Sequence, residues 1–159
     1  MTWQYAIGRN IARFCFNNLG RLEVTGREGV PPYGPLIVAS NHLSFTDPPL
    51  LVASIRRPLH FMGKQELFAN PVTRYFMKSF NVSSYNRSGV GLDTVKTLLE
   101  MLAKDKAVVI FPEGHRSELH SLQKGMLGVV YLAMKSQAPI LPVGLTGTEK
   151  IRAGRVPVP

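Results

Sequence analysis

The sequence predicts an α/β fold, a mostly parallel or mixed sheet flanked by helices, with an amphipathic helix at the N-terminus. Short apolar runs alternate with longer segments of helical period, the pattern that builds strand–helix–strand units. Turns rich in glycine and proline separate them. The 159 residues are 45% apolar and 18% charged, which suits one globular domain with a core of its own. No internal repeat, low-complexity tract or second domain is visible.

Residues 3–19, WQYAIGRNIARFCFNNL, are the first element. At about 100° per residue, Trp3, Ile7, Ile11, Phe14 and Cys15 share one side, with Arg9 and Arg13 opposite. An aromatic apolar face beside a cationic flank suits a membrane interface, and residues 1–20 are expected to lie there. On pattern alone, the same stripe fits packing against the rest of the domain equally well. Residues 21–159 form the domain proper. RLEVTG (21–26) and PLIVAS (35–40) read as strands across the turn-rich GVPPYGP. A helix follows over 47–57, a strand at PLHFMG (58–63), a helix over 66–79, a short strand at NVSSYN (81–86) and a helix over 92–104. AVVIF (107–111) is a buried strand, 124–137 a helix and PILPVGLTG (139–147) the last strand.

The formal net charge of +9 points to an anionic partner: nucleic acid, an acidic membrane or a phosphorylated substrate. Cys15 is the sole cysteine, so neither a disulfide framework nor a cysteine metal cluster is expected, and a reducing compartment fits. No uncharged apolar run approaches the roughly 18 residues of a spanning helix. Arg9 and Arg13 interrupt the apolar stretch that a signal peptide needs. The expected state is soluble or peripheral.

Two strand ends carry chemistry. After PLIVAS comes NHLSFTD (41–47), followed by two prolines. Aspartate is a favoured N-cap, proline is favoured at the first helical position, and a residue before proline avoids helical backbone. NHLSF is therefore a loop that can turn His42 back against Asp47. The carboxylate then accepts the proton of one ring nitrogen and leaves the other free as a base. For the heptapeptide alone, a capping aspartate beside an ordinary loop histidine explains the pattern at least as well.

The second strand end is FPEGHRS (111–117), after AVVIF. Pro112 and Gly114 set a turn, and Arg116 offers a planar fork suited to phosphate or carboxylate. Glu113 either holds that arginine or accepts from substrate hydroxyls, and a surface turn with an internal salt bridge is the plainer alternative. Lys64, Arg87 and Lys124 are further cations that follow strands or open helices.

Together these blocks resemble the glycerolipid acyltransferases typified by 1-acylglycerol-3-phosphate (lysophosphatidic acid) acyltransferase. The family's Asn-His-x4-Asp motif is matched by Asn41, His42 and Asp47. Its Phe-Pro-Glu-Gly-x-Arg-Ser motif is matched by Phe111, Pro112, Glu113, Gly114, Arg116 and Ser117, with His115 at the variable place where threonine is usual. GKQELF resembles an intermediate block, Arg87 in SSYNRSG a following arginine, Lys124–Gly125 a later Lys-Gly, and ILPVGLTGT the proline-containing strand. The ordered blocks cover about residues 22–150. The resemblance implies an acyltransferase domain, short at its C-terminus, that works without a covalent acyl-enzyme. His42 is then the base that deprotonates the acceptor hydroxyl, and Asp47 orients and stabilises its ring. Glu113, Gly114 and Arg116 bind the acceptor's glycerol phosphate, with Lys64, Arg87 and Lys124 as supplementary cations. It further implies no metal and no cofactor, acyl-CoA or acyl carrier protein as co-substrate, a lysophospholipid acceptor, and peripheral attachment to the cytoplasmic face of a membrane.

Other readings have less support. The cations are scattered, with neither a basic helix nor an aromatic-and-basic sheet face, so nucleic acid is not expected as a partner. A basic lipid- or nucleic-acid-binding module without catalysis is the alternative from another class. A serine hydrolase would need a G-x-S-x-G elbow, which is absent, and Ser44 lies in the same short loop as its supposed base. His115 and His120 do not form H-E-x-x-H, and GVGLDT lacks the third glycine of a dinucleotide fingerprint. Within the family, another lysophospholipid or an amine acceptor remains compatible with these motifs.

Overall fold

The strand Leu36–Ser40 (β1) sits inside the sheet because its residues are apolar on both faces. A strand buried on both sides reads as a continuous apolar run rather than an alternation. The computed structural model describes residues 2–19, 22–85, 91–117 and 122–151. Among the described residues five strands, β1, Leu59–Lys64 (β2), Val82–Tyr85 (β3), Ala107–Ile110 (β4) and Ile140–Val143 (β5), lie in the order β3-β2-β4-β1-β5. Every pairing is parallel, with Leu36 opposite Ala107 and Ile37 opposite both Val108 and Ile140.

The two-residue period of a strand sorts side chains onto two helical layers. Leu36, Val38, Ala107 and Val109 face a core shared with Tyr5 of Trp3–Leu19 (α1) and with Leu50, Leu51 and Val52 of Asp47–Ser54 (α2). Ile37 and Val108 point the other way, to Leu98 and Leu102 of Leu92–Leu102 (α4) and Val129 and Leu132 of Gly128–Ser136 (α5). Pro71–Ser79 (α3) links β2 to β3.

Arg57 ties the turns at the far end of the sheet. Its guanidinium donates to the carbonyls of Pro31, Tyr33, Gly34 and Asp105 at 2.5–3.2 Å.

Several expectations are corrected. No strand forms at 22–26. The amide of Leu22 donates to the carbonyl of Phe16, so the segment is used in leaving α1, and Leu22 packs on the core without a ladder partner. The helix expected over 66–79 divides into a 3-10 turn at Gln65–Phe68 and α3. Asn70 separates them, capping α3 by accepting from the amide of Val72, with Pro71 in the first turn. The helix expected from 124 begins only at Gly128.

The N-terminal helix is formed, but its strongest apolar stripe is not its docked face. Tyr5 is wholly buried, and its hydroxyl accepts from the amide of Leu59 at 2.9 Å. At Gly8 a Cβ would stand 2.6 Å from Cζ of Phe80, so glycine lets that ring lie against the helix. Trp3, Ile7, Ile11 and Phe14 are instead 50–69% exposed.

Candidate active site

All strands being parallel, their carboxyl ends meet at one edge. The loops after β1 and β4, which are neighbours, carry the two motifs. The chain leaves β1 for α2 on one face and leaves β4 for α5 on the other. Connections that diverge from adjacent strands open a crevice at the carboxyl edge, the usual place for a ligand in such sheets.

Asp47 does not cap α2. Thr46 occupies the N-cap, and Pro48 and Pro49 follow Asp47 within the first turn. The Asp47 carboxylate turns back into the preceding loop. Its Oδ2 lies 2.7 Å from Nδ1 of His42 and accepts from the amides of Leu43 and Ser44 at 2.6 and 2.8 Å. Burial is the largest influence on this carboxyl and acts to raise its pKa. The hydrogen bonds from His42, Ser44 and Leu43, with the nearby Thr148 hydroxyl acting in the same direction, outweigh it, so the net shift is downward and the carboxylate form is held.

With Nδ1 given to Asp47, Nε2 of His42 is the ring atom left for a substrate. The imidazole stacks on Phe111 with centroids 4.0 Å apart and 19° between planes. Its own carbonyl accepts from the amide of Ser117 at 2.8 Å, joining the two motif loops. Asn41 fixes a third segment: its Nδ2 donates to the carbonyl of Leu145, and its Oδ1 accepts from the Leu145 amide.

In the second motif Glu113 is 4% exposed, and neither carboxylate oxygen has a hydrogen-bond partner among the described residues. Gly114 has φ of 73°, where a side chain is strained, and a Cβ there would run into the end of Met126. The amide of Met126 in turn donates to the carbonyl of Pro112. The Cζ of Arg116 lies 3.6 Å from the Phe45 ring centroid, a cation–π contact that ties the two loops together. Lys64 and Lys124 are exposed, Lys64 ending β2 at the same sheet edge. Arg87 lies outside the described residues. The Phe45–Arg116 contact and the nearness of the Thr148 hydroxyl to Asp47 carry no signal in the local sequence, since each brings together segments far apart in the chain.

The profile of the family described as Acyltransferase matches residues 21–146. The chain belongs to the acyltransferase family. This acyltransferase is 30% identical over 144 residues to the 1-acyl-sn-glycerol-3-phosphate acyltransferase of Bacillus subtilis, a match covering 85% of this chain and 71% of that protein. It is 31% identical to the chloroplastic 1-acyl-sn-glycerol-3-phosphate acyltransferase BAT2 of Brassica napus, over 82% of this chain and 39% of the relative. The crystal structure of the 1-acyl-sn-glycerophosphate (LPA) acyltransferase PlsC from Thermotoga maritima superposes with a TM-score of 0.79 at 25% identity, covering 95% of this acyltransferase and 61% of that chain. The acyltransferase therefore spans well under half of the plant relative's length and about three fifths of the solved chain.

Proposed function

We propose that this acyltransferase moves a fatty acyl group from an acyl thioester to the free hydroxyl of 1-acylglycerol-3-phosphate, giving phosphatidic acid, with His42 as general base. The observation that carries the reading is the buried Asp47 carboxylate 2.7 Å from Nδ1 of His42, in a loop joined to the one that bears Glu113 and Arg116 by the Ser117 amide on the His42 carbonyl and by Arg116 on Phe45. Nε2 takes the acceptor hydroxyl proton as that oxygen bonds to the thioester carbonyl carbon. The carbon–sulfur bond then breaks, and the thiolate leaves with the proton returned from the imidazolium. No covalent acyl-enzyme is needed, because the thioester is already activated. General-base catalysis contributes about 10²–10⁴-fold, and holding both substrates in place contributes further.

An unpartnered buried carboxylate is costly, and donors from a ligand relieve it. Glu113 is accordingly assigned to the hydroxyl-bearing part of the acceptor. Arg116, held face-on by Phe45, is assigned to its phosphate, with Lys64, Lys124 and Arg87 as supplementary cations. The donor is a thioester of coenzyme A or acyl carrier protein. The exposed stripe of Trp3, Ile7, Ile11 and Phe14 is assigned to the lipid surface in which the acceptor resides, as a peripheral attachment at the cytoplasmic face. No helix among the described residues is long and apolar enough to cross a membrane.

The test is a kinetic comparison of Arg116→Ala with the unaltered enzyme, on vesicles containing lysophosphatidic acid, with each donor in turn. The acceptor KM should rise at least tenfold while the donor KM stays within about twofold, as loss of one charge-assisted contact implies. Equal losses for both substrates would remove Arg116 from the phosphate site. Full activity on uncharged lysolipids alone would remove lysophosphatidic acid as the acceptor.

A further inference from the structure

The loop after β5 also reaches the catalytic carboxylate. Oδ2 of Asp47 takes three donors, yet Oδ1 of the same group is buried with no partner at bonding length. Thr148, in a short 3-10 turn, is 1% exposed, and its Oγ1 is likewise buried without a partner. The two side chains are nonetheless close enough for the hydroxyl to act on the carboxylate and favour its charged form. Two buried polar atoms, one an acceptor and one carrying a proton, are seldom left unpaired beside each other.

We propose that Thr148 is a positioning residue for the transfer reaction: its hydroxyl donates to Oδ1 of Asp47 and, with the three donors on Oδ2, fixes the plane of the carboxylate. The Asn41 amide, bonded twice to the backbone of Leu145, holds the start of the same loop at the end of β1. The catalytic pair is thereby gripped from its own loop and from the chain beyond β5. Carboxylate orientation governs the direction in which Nε2 of His42 points, because the Nδ1 bond is the ring's polar anchor. Thr148 touches no substrate in this arrangement, so it governs turnover and not binding.

The inference rests on the reading of His42 and Asp47 as the base pair, and the experiment separates the two. Transfer from acyl-CoA to lysophosphatidic acid on vesicles is measured for the unaltered protein, His42→Ala, Thr148→Val, Thr148→Ala and Thr148→Ser, each with its melting temperature. Thr148→Val should lower kcat about tenfold or more with both KM values within twofold, the effect of losing one hydrogen bond to a charged group. Thr148→Ser, which keeps the hydroxyl, should restore most of it. If valine destabilises the fold, the alanine–serine pair decides, since it differs by the hydroxyl alone. Serine no better than alanine or valine, or a valine variant at full kcat while His42→Ala is inactive, overturns the role of Thr148. Activity retained by His42→Ala overturns the base-pair reading itself.

Discussion

Asp47 carries two demands that usually conflict: it is wholly buried, and under the proposed mechanism it must stay charged to stabilise an imidazolium. Three donors on one oxygen resolve the conflict, and the net shift of its pKa is downward. A carboxyl with a depressed folded-state pKa contributes stability that is present above its unfolded value, about 4, and is lost as pH falls through the folded value. Asp47→Asn should therefore lower kcat by about 10²–10⁴-fold at neutral pH, and should also flatten the fall in melting temperature below about pH 4. Thermal melts of both proteins from pH 7 to pH 3 check the second point. An unchanged acid slope would show that the carboxylate is not held ionised by its neighbours. The His–Asp contact was legible in the sequence because a proline pair fixes where the helix must start, which makes NHLSF a loop. The position of the carboxylate was only partly legible. A capping aspartate and one that turns back to its own loop have the same local sequence, and the amides of Leu43 and Ser44 decide between them.

At the scale of elements, α1 departs most from its pattern. Its largest apolar residues are the exposed ones, while the docked side holds Tyr5, Gly8 and the partly buried Phe16. Helical periodicity locates stripes but cannot say which of them meets the core, and a docked face built around glycine scores poorly as an apolar stripe. Removing the Tyr5 hydroxyl leaves the buried amide of Leu59 without its acceptor. Tyr5→Phe should destabilise the protein by about 1–3 kcal/mol in denaturant melts, and a change near zero would mean that the amide finds another acceptor. The exposed side should behave differently. Replacing Ile7, Ile11 and Phe14 together by serine should leave folding nearly intact and weaken vesicle binding at least tenfold, as measured by co-sedimentation. Binding that persists would assign the stripe to something other than lipid. The missing strand at 22–26 has a related cause. Leu22 rests on the core while Glu23 is exposed, so the alternation reports a half-buried extended segment and not a hydrogen-bonded ladder.

At the scale of the molecule, the sheet order is what makes a site of these loops. Placing β1 between β4 and β5 brings three carboxyl ends together: the Asn-His-x4-Asp loop, the Phe-Pro-Glu-Gly loop and the chain beyond β5. The α/β class could be read from apolar runs between turn signals, and β1 and β4, buried on both faces, leave a continuous signature, whereas β2, β3 and β5 are exposed in part and are marked mainly by the turns that flank them. Strand order could not, since nothing local in β1 or β4 specifies that they are neighbours. The contact of Phe45 with Arg116, and the placing of Thr148 near Asp47, depend on that order and were hidden for the same reason. The net charge of +9 suits a protein that meets anionic headgroups. In the proposed reaction His42 abstracts the acceptor proton. That step is tested most directly by single-turnover acyl transfer to lysophosphatidic acid in vesicles, comparing the unaltered protein with a His42→Ala variant of matched melting temperature. The first should form phosphatidic acid and the second should lose at least about 10²-fold in rate, with acceptor binding unchanged. Transfer at an undiminished rate in His42→Ala would contradict that step.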